Sequence, residues 1–136
     1  MVTDKDLVRL ANESRAMAHA PYSGFGVGAA LLCEDGTVYT GCNVENATYG
    51  ATCCAERTAI FKAVSEGRKH FSKIAVVGGR FGEEPTSFFV PCGICRQVLS
   101  EFCGPDFIVL VSDGKETKSF RLAELLPCSF SADAMI

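Results

Sequence analysis

Two short cysteine-containing stretches constrain the fold of this chain more than any other feature of its sequence. They are Cys53-Cys54-Ala55-Glu56-Arg57 and Pro91-Cys92-Gly93-Ile94-Cys95, and together they hold four of the eight cysteines. A C-x-x-C pair at the start of a helix puts two thiolates one turn apart on the same face. A third thiolate from the other stretch would complete three ligands of a tetrahedral zinc ion. The fold is therefore expected to bring these two distant segments together.

The fourth position of such a site decides between a catalytic and a structural zinc. A structural zinc is closed by a fourth protein ligand, whereas a hydrolytic zinc keeps a water whose pKa falls to about 7. Glu56, two residues after Cys54, is the candidate base for that water. The alternative is a closed structural or redox site in which Cys53 or Cys128 supplies a fourth thiolate.

Length and composition restrict the class of protein. With 136 residues the chain is expected to form a single domain over 1–136. Thirteen basic and sixteen acidic residues give a net charge of −3 without a basic stripe, which argues against nucleic acid as a partner. The N-terminus does not have the pattern of a signal peptide, and no apolar run reaches the ~20 residues that a membrane span needs. A cytoplasmic protein with reduced cysteines and no membrane partner is the resulting expectation.

The pattern of apolar residues predicts alternating helices and strands. Helices are expected over 4–19, with Thr3 and Asp6 as a capping pair, and over 54–66, 92–102 and 122–126. Strands are expected over 25–33, 38–42, 74–77, 107–111 and 117–120, with residues 78–89 as a loop.

The connections between strands predict how the sheet is built. Asp35-Gly36 is typical of a tight hairpin between the first two strands. The last two strands are separated by five residues, too few for a parallel crossover, so they are expected to be antiparallel. The predicted fold class is α/β, a mixed five-stranded sheet with helices on its faces.

The two cysteine stretches resemble the motif of the zinc-dependent deaminases in its three-cysteine form. Further segments are similar to the small homotetrameric cytidine deaminases: Pro21-Tyr22-Ser23, residues 25–31, Asn43-Val44-Glu45-Asn46, residues 54–59 and Leu125-Leu126-Pro127. The likeness covers nearly the whole chain. It implies the three-layer α/β/α sandwich of that family, one Zn²⁺ per subunit, and hydrolysis of cytidine and deoxycytidine to uridine and deoxyuridine in pyrimidine salvage.

The resemblance also assigns roles to the residues of the motif. It implies that Cys54, Cys92 and Cys95 are the zinc ligands, and that Glu56 moves protons between a zinc-activated water and the cytosine ring. Arg57 matches an arginine that donates hydrogen bonds to ligand sulfurs. Such bonds would offset the formal charge of −1 that three thiolates leave on Zn²⁺.

Substrate contacts are implied in the same way. Asn43 and Glu45 match the pair that hydrogen-bonds the ribose. Phe25 and Val27 match residues that line the base pocket, and Ala55 is a further substrate-binding position. An antibiotic deaminase would share the zinc motif but would not need the sugar pair. Polynucleotide deaminases share a helix between the last two strands of the sheet. The five residues that connect the last two predicted strands of this chain are too few for such a helix.

The last expectation is a homotetramer whose active sites are shared between subunits. The chain is 48% hydrophobic, rich for a small monomer, and places Phe130 after Leu125-Leu126-Pro127. In the resembling tetramers an aromatic residue at this position stacks on the base bound to a neighbouring subunit. The alternative is that Phe130 packs on the surface of its own domain.

Overall fold

The computed structural model describes residues 1–135, and within them five β-strands form a single sheet that is accompanied by four α-helices. The helices are α1 (Asp4–Ser14), α2 (Ala55–Ser65), α3 (Gly93–Phe102) and α4 (Leu122–Leu125). The strands are β1 (Phe25–Cys33), β2 (Val38–Cys42), β3 (Phe71–Arg80), β4 (Ile108–Ser112) and β5 (Thr117–Arg121). No helix in residues 1–135 has both the length and the apolar character needed to cross a membrane.

The sheet has the order β2-β1-β3-β4-β5 and is mixed, as the sequence predicted. Strand β1 is antiparallel to both β2 and β3, β3 is parallel to β4, and β4 is antiparallel to β5. The one parallel pair is joined by a connection that contains α3, which supplies the length that a crossover requires. The outer pairs are hairpins whose turns contain Gly36 and Gly114, both with positive φ.

The two faces of the sheet bury two separate clusters of apolar side chains. Leu7 and Ala11 of α1 cover one face, where they pack on Ala30, Ala75 and Val77. Helices α2 and α3 cover the other face. The alternate strand residues and helix residues that meet there include Ala29, Leu31, Ile74, Val76, Ala59, Ile60 and Leu99. Because β1 and β3 are covered on both sides, they are apolar at consecutive positions, and the fold is a three-layer sandwich.

Helix α1 begins as predicted but ends earlier than predicted. Thr3 and Asp6 form a capping box, in which each side chain bonds the other residue's backbone N–H. The α-helix stops at Ser14 and is followed by a 3₁₀ turn over Arg15–Met17. The tighter turn brings the buried Arg15 guanidinium to the carbonyl oxygens of Gly26 and Arg80 at 2.9 and 3.1 Å. These bonds fix the end of α1 against β1 and β3.

Strand β3 is ten residues long, so the prediction of a short strand over 74–77 followed by a loop was wrong. Gly78 and Gly79 lie inside the strand and pair with β1. A Cβ atom on Gly78 would lie 2.4 Å from the Phe89 ring, and one on Gly79 would lie 2.9 Å from the Arg15 guanidinium. Glycine at these positions allows side chains from elsewhere to approach the strand closely.

Candidate active site

The N-termini of α2 and α3 meet at three cysteines. Cys54 is the N-cap of α2, Cys92 is the N-cap of α3, and Cys95 lies in the first turn of α3. Their sulfur atoms lie within 4.8 Å of one another, and the Cys54 and Cys92 sulfurs are 3.7 Å apart. Zinc–sulfur bonds of 2.3 Å in a tetrahedron place two sulfurs about 3.8 Å apart. The three thiols therefore fit a zinc ion.

Within residues 1–135, the cluster contains no fourth metal-binding side chain. The Cys53 sulfur lies 3.7 Å from the Cys54 carbonyl oxygen and 3.7 Å from the Thr58 hydroxyl. Cys128 lines a different cavity, with Cys103. The arrangement argues against the closed site considered above, because one tetrahedral position is left for water or substrate.

Positive charge and backbone dipoles surround the three sulfurs. The Arg57 guanidinium donates to the Cys54 sulfur at 3.4 Å and to the Thr52 carbonyl oxygen at 3.2 Å. The Cys95 backbone N–H donates to the Cys92 sulfur at 3.5 Å. Hydrogen bonds from Cys95, Arg57 and Cys92 outweigh the effect of burial and lower the pKa of Cys54 to about 5. Both helix N-termini also favour thiolates, which are the metal-binding form of cysteine.

Glu56 lies in the first turn of α2, beside the sulfurs, and is only 4% exposed. Burial raises the pKa of its carboxyl group to about 7, and the nearby Cys54 thiolate adds to this rise. A carboxyl group with such a pKa can both accept and donate a proton at neutral pH. Its position next to an open metal site is the geometry that a proton shuttle requires.

A cavity of about 340 Å³ opens over Glu56 and the sulfurs of Cys54 and Cys92. Its size lies within the range of small-molecule sites, and most of its lining is apolar. Phe25, Val27 and Ala55 line it, as do Asn43 and Glu45. The fold thus places all five of these sequence-derived candidates around one cavity.

The polar residues of the cavity are held by backbone groups. The Asn43 side chain accepts a hydrogen bond from the Val27 N–H and donates one to the Phe25 carbonyl oxygen, both at 2.8 Å. It therefore bridges the two strand residues that line the cavity. Glu45 accepts the N–H groups of Tyr22 and Ser23 through Oε1 at 3.0 and 3.1 Å.

These contacts affect the charge of Glu45. Hydrogen bonds from Ser23 and Tyr22 lower the pKa of the Glu45 carboxyl group, so it is negatively charged at neutral pH. Both backbone bonds fall on Oε1. Within the described residues, no backbone N–H bonds Oε2, so this oxygen is the one available to a ligand.

Several lining residues were not found by sequence reasoning. They are Ser23, Thr52, Val76, Phe89 and Val90. The Phe89 ring packs against Phe25 with centroids 5.9 Å apart and covers Gly78. Residues 88–90 directly precede the Pro91-Cys92 stretch, and this proximity is the signal that could have identified Phe89 and Val90.

Phe130 lies apart from the cavity of its own chain. Its side chain is 60% exposed, and it does not line the cavity. Its carbonyl oxygen accepts a hydrogen bond of 3.0 Å from the Gln97 side chain of α3. Within one subunit, the structure therefore does not bring Phe130 together with the other candidate substrate contacts.

The fold is a mixed sheet, and an open three-cysteine site with a buried glutamate lies at the N-termini of α2 and α3. This combination is typical of the zinc-dependent hydrolytic deaminases. The family model for the cytidine and deoxycytidylate deaminase zinc-binding region matches residues 1–111. The chain belongs to this family, and its metal is zinc.

Individual relatives are similar over almost the whole chain. Cytidine deaminase of Sporosarcina psychrophila is 48% identical over 128 residues, which cover 93% of this chain and 90% of the relative. That of Halalkalibacterium halodurans is 47% identical over 130 residues, or 95% of each chain. A crystal structure of cytidine deaminase from Burkholderia pseudomallei superposes with a TM-score of 0.86 at 44% identity. It covers 94% of this chain and 99% of the other.

Proposed function

We propose that this protein hydrolyses cytidine and deoxycytidine to uridine and deoxyuridine, with release of ammonia, as a step of pyrimidine salvage. The observation that carries the proposal is the buried Glu56 carboxyl group beside three thiols whose spacing fits a zinc ion, in a cavity that Asn43 and Glu45 also line. The relatives named above as cytidine deaminases support the same activity.

In this proposal Glu56 carries out the proton transfers. A zinc ion held by Cys54, Cys92 and Cys95 supplies Lewis acidity that lowers the pKa of a water molecule to about 7. The Glu56 carboxylate accepts one proton from the attacking water and passes it to ring N3. It then accepts the remaining proton of the oxygen that has bonded to C4 and passes it to the exocyclic nitrogen. Ammonia then leaves in place of an unstable amide anion. A pKa near 7 suits one carboxyl group to both directions of transfer.

Arg57 tunes the metal site from outside the ligand set. Three thiolates leave a formal charge of −1 on the zinc centre, which would make its water less acidic. The bond from Arg57 to the Cys54 sulfur, together with the N-termini of α2 and α3, withdraws part of that charge.

The polar end of the cavity would provide selectivity for a nucleoside. The free oxygen of Glu45 and the remaining N–H of Asn43 suit the hydroxyl groups of a ribose. Free cytosine would leave these groups without partners, which is unfavourable in a buried site. Phe25 and Val27 would pack on the base and keep bulk water from Glu56.

The rival substrates fit less well. Polynucleotide deaminases share a helix between the last two strands. Here only residues 113–116 connect β4 and β5, which is too short for that helix. A net charge of −3 also disfavours a polyanion. An antibiotic nucleoside would not require Asn43 and Glu45 together, whose presence favours an ordinary nucleoside.

We further propose that the enzyme is a cytoplasmic homotetramer whose active sites are completed by Phe130 of a neighbouring subunit. Large apolar side chains are exposed on one subunit, among them Phe61 at 48%, Ile94 at 62% and Phe130 at 60%. Burial of such side chains between subunits would be favourable. All eight cysteines are free thiols, which suits a reducing compartment.

The test is a deamination assay on zinc-analysed protein. Cytidine, deoxycytidine, free cytosine and a cytosine-containing oligonucleotide are compared by ultraviolet absorbance and ammonia release. We expect about one zinc per chain, turnover of both nucleosides, and little turnover of the base or the oligonucleotide. A folded, zinc-loaded protein that releases no ammonia from either nucleoside would overturn the proposal.

A further inference from the structure

Helix α3 carries two side chains that bond the C-terminal segment, in addition to two zinc-binding cysteines. Directly after Cys95, Arg96 donates from Nη1 to the Leu125 carbonyl oxygen at 2.7 Å. The next residue, Gln97, donates from Nε2 to the Phe130 carbonyl oxygen at 3.0 Å. The helix that builds half of the metal site is therefore also the support of the segment that carries Phe130.

Arg96 links this segment to the other end of the metal stretch. Its Nε donates to the Pro91 carbonyl oxygen at 2.8 Å, immediately before Cys92. One half-buried guanidinium therefore spans from Pro91 to Leu125. This fork geometry holds both backbone segments in a fixed relation to α3.

Beyond Leu126 the segment has few other attachments. In the described part of the chain, the Gln97 bond is the only hydrogen bond between residues 127–135 and the rest of the subunit. A cavity of about 310 Å³ lies between this segment and the end of α3, lined by Ser100, Cys103 and Pro127 among others. Apolar packing beneath residues 127–129 is thus incomplete, and Cys128 has a positive φ of 53°. The position of Phe130 consequently depends strongly on Gln97.

We propose that Gln97, supported by Arg96, is a positioning residue that presents Phe130 for stacking on the base in a neighbouring subunit. This inference rests on the proposed function, because it takes Phe130 as a substrate contact. Gln97 is not part of the three-cysteine cluster and does not line the cavity. Its loss should therefore weaken substrate binding and leave the proton transfers at Glu56 unchanged.

The first experiment detects the position of the segment without any activity measurement. The chain has no tryptophan, so Phe130→Trp introduces a single tryptophan, whose emission is excited selectively over that of the three tyrosines. In this background Gln97→Met removes the hydrogen bond with little change of shape, and Gln97→Glu replaces the donor by an acceptor. We expect both to lower the fluorescence anisotropy and shift the emission to longer wavelength. Glu101→Met, on an exposed position of the same helix, is the matched control and should change neither.

The second experiment measures the kinetic consequence in the chain with native Phe130. Gln97→Met should raise the KM for cytidine about three- to tenfold, the range of one ordinary hydrogen bond, with kcat within about twofold. Zinc content and melting temperature should match those of the Glu101→Met control. A merely structural role would lower zinc content or kcat, and that result would overturn the proposal.

A double-mutant cycle with Phe130→Ala completes the test. Without the aromatic ring Gln97 has nothing to position, so Gln97→Met should add no further rise in KM to that of Phe130→Ala. Independent, multiplicative effects would contradict the proposal, as would unchanged fluorescence in the first experiment. If the protein did not deaminate cytidine at all, the proposed function would fail. The fluorescence arm would still decide whether Gln97 fixes the segment.

Discussion

Glu56 is the only buried carboxyl group among residues 1–135. Glu56→Gln keeps the size of the side chain but removes its ability to accept a proton. We expect kcat for cytidine to fall by about 10²- to 10⁴-fold, the usual contribution of general acid–base catalysis. Zinc content and melting temperature should stay close to those of the unsubstituted protein. Steady-state kinetics measure kcat, metal analysis measures the zinc content, and thermal denaturation measures the melting temperature.

The matched control is Glu101→Gln, which removes an exposed carboxyl group remote from the cavity. It should leave kcat and zinc content unchanged. Near-normal turnover in Glu56→Gln would mean that another group moves the proton, and the proposed mechanism would have to be abandoned.

Glu45 gives a prediction for the pH dependence of binding. Its pKa is lowered below the ordinary glutamate value by the hydrogen bonds from Ser23 and Tyr22, so the ionised form predominates at every pH above 4.5. The Kd of cytidine is best measured on the Glu56→Gln variant, because Glu45 is then the only carboxyl group lining the cavity. We expect this Kd to be constant between about pH 5 and 8. It should rise only when the pH falls through the lowered pKa.

The same shift affects stability with a fixed sign. A carboxyl group with a lowered folded-state pKa stabilises the fold above its unfolded pKa, and this contribution is lost as the pH falls through the folded value.

Glu45→Gln retains an oxygen for the Tyr22 and Ser23 N–H groups but loses the charge. It should raise the Kd of cytidine by about tenfold or more, as for a hydrogen bond to a charged group. Unchanged affinity measured by calorimetry would remove Glu45 from the substrate site.

At the level of elements, the sequence predicts what local periodicity determines. The two metal helices and β1 follow from apolar spacing and flanking signals, and their predicted ranges agree with the structure to within one residue at each end. The C-terminal end of strand β3 was not predicted because Gly78-Gly79 has the local pattern of a loop. The two residues belong to the strand because Phe89 and Arg15 pack against them. Contacts between residues this far apart in the sequence cannot be inferred from the local pattern of apolar residues.

Gly78→Ala tests this contact between β3 and the cavity wall. The new Cβ atom would lie 2.4 Å from the Phe89 ring, so the ring must move. Overpacking of this kind lowers the free energy of unfolding by roughly 1–3 kcal/mol. Because Phe89 lines the cavity, the KM for cytidine should rise as well. Chemical denaturation and steady-state kinetics measure the two effects.

Gly104→Ala is the control for this change, since a Cβ atom there meets nothing within 4 Å and the residue does not require positive φ. It should leave both the unfolding free energy and the KM nearly unchanged. Equal stability of the Gly78→Ala and Gly104→Ala variants would show that Phe89 moves aside freely, contrary to the prediction.

At the scale of the whole molecule, the clustering of Cys54, Cys92 and Cys95 beside Glu56 could be predicted because these residues lie in two short motifs. The cavity wall could be predicted only in part, since Phe89 and Val90 have no motif of their own. Phe130 differs from both cases. Its position outside its own cavity, with the side chain 60% exposed, follows from the path of the segment after α4. The substrate contact proposed for Phe130 therefore requires a neighbouring subunit.

The shared active site can be tested by mixing two inactive or impaired chains. Glu56→Gln chains have an intact Phe130, and Phe130→Ala chains have an intact Glu56. If Phe130 stacks on the base of a neighbouring subunit, co-refolded tetramers contain some sites with both groups present. Their activity at low cytidine concentration should exceed the sum of the two proteins measured separately.

The control replaces the first chain by one that carries both Glu56→Gln and Phe130→Ala, which cannot donate the ring. Mixing this chain with Phe130→Ala chains should give no gain, while native mass spectrometry verifies that subunits have exchanged to the same extent. A gain in the first mixture alone assigns it to a ring donated across the interface, because the two mixtures differ only at residue 130. Additive activity in both mixtures, with exchange verified, would place Phe130 on the surface of its own subunit.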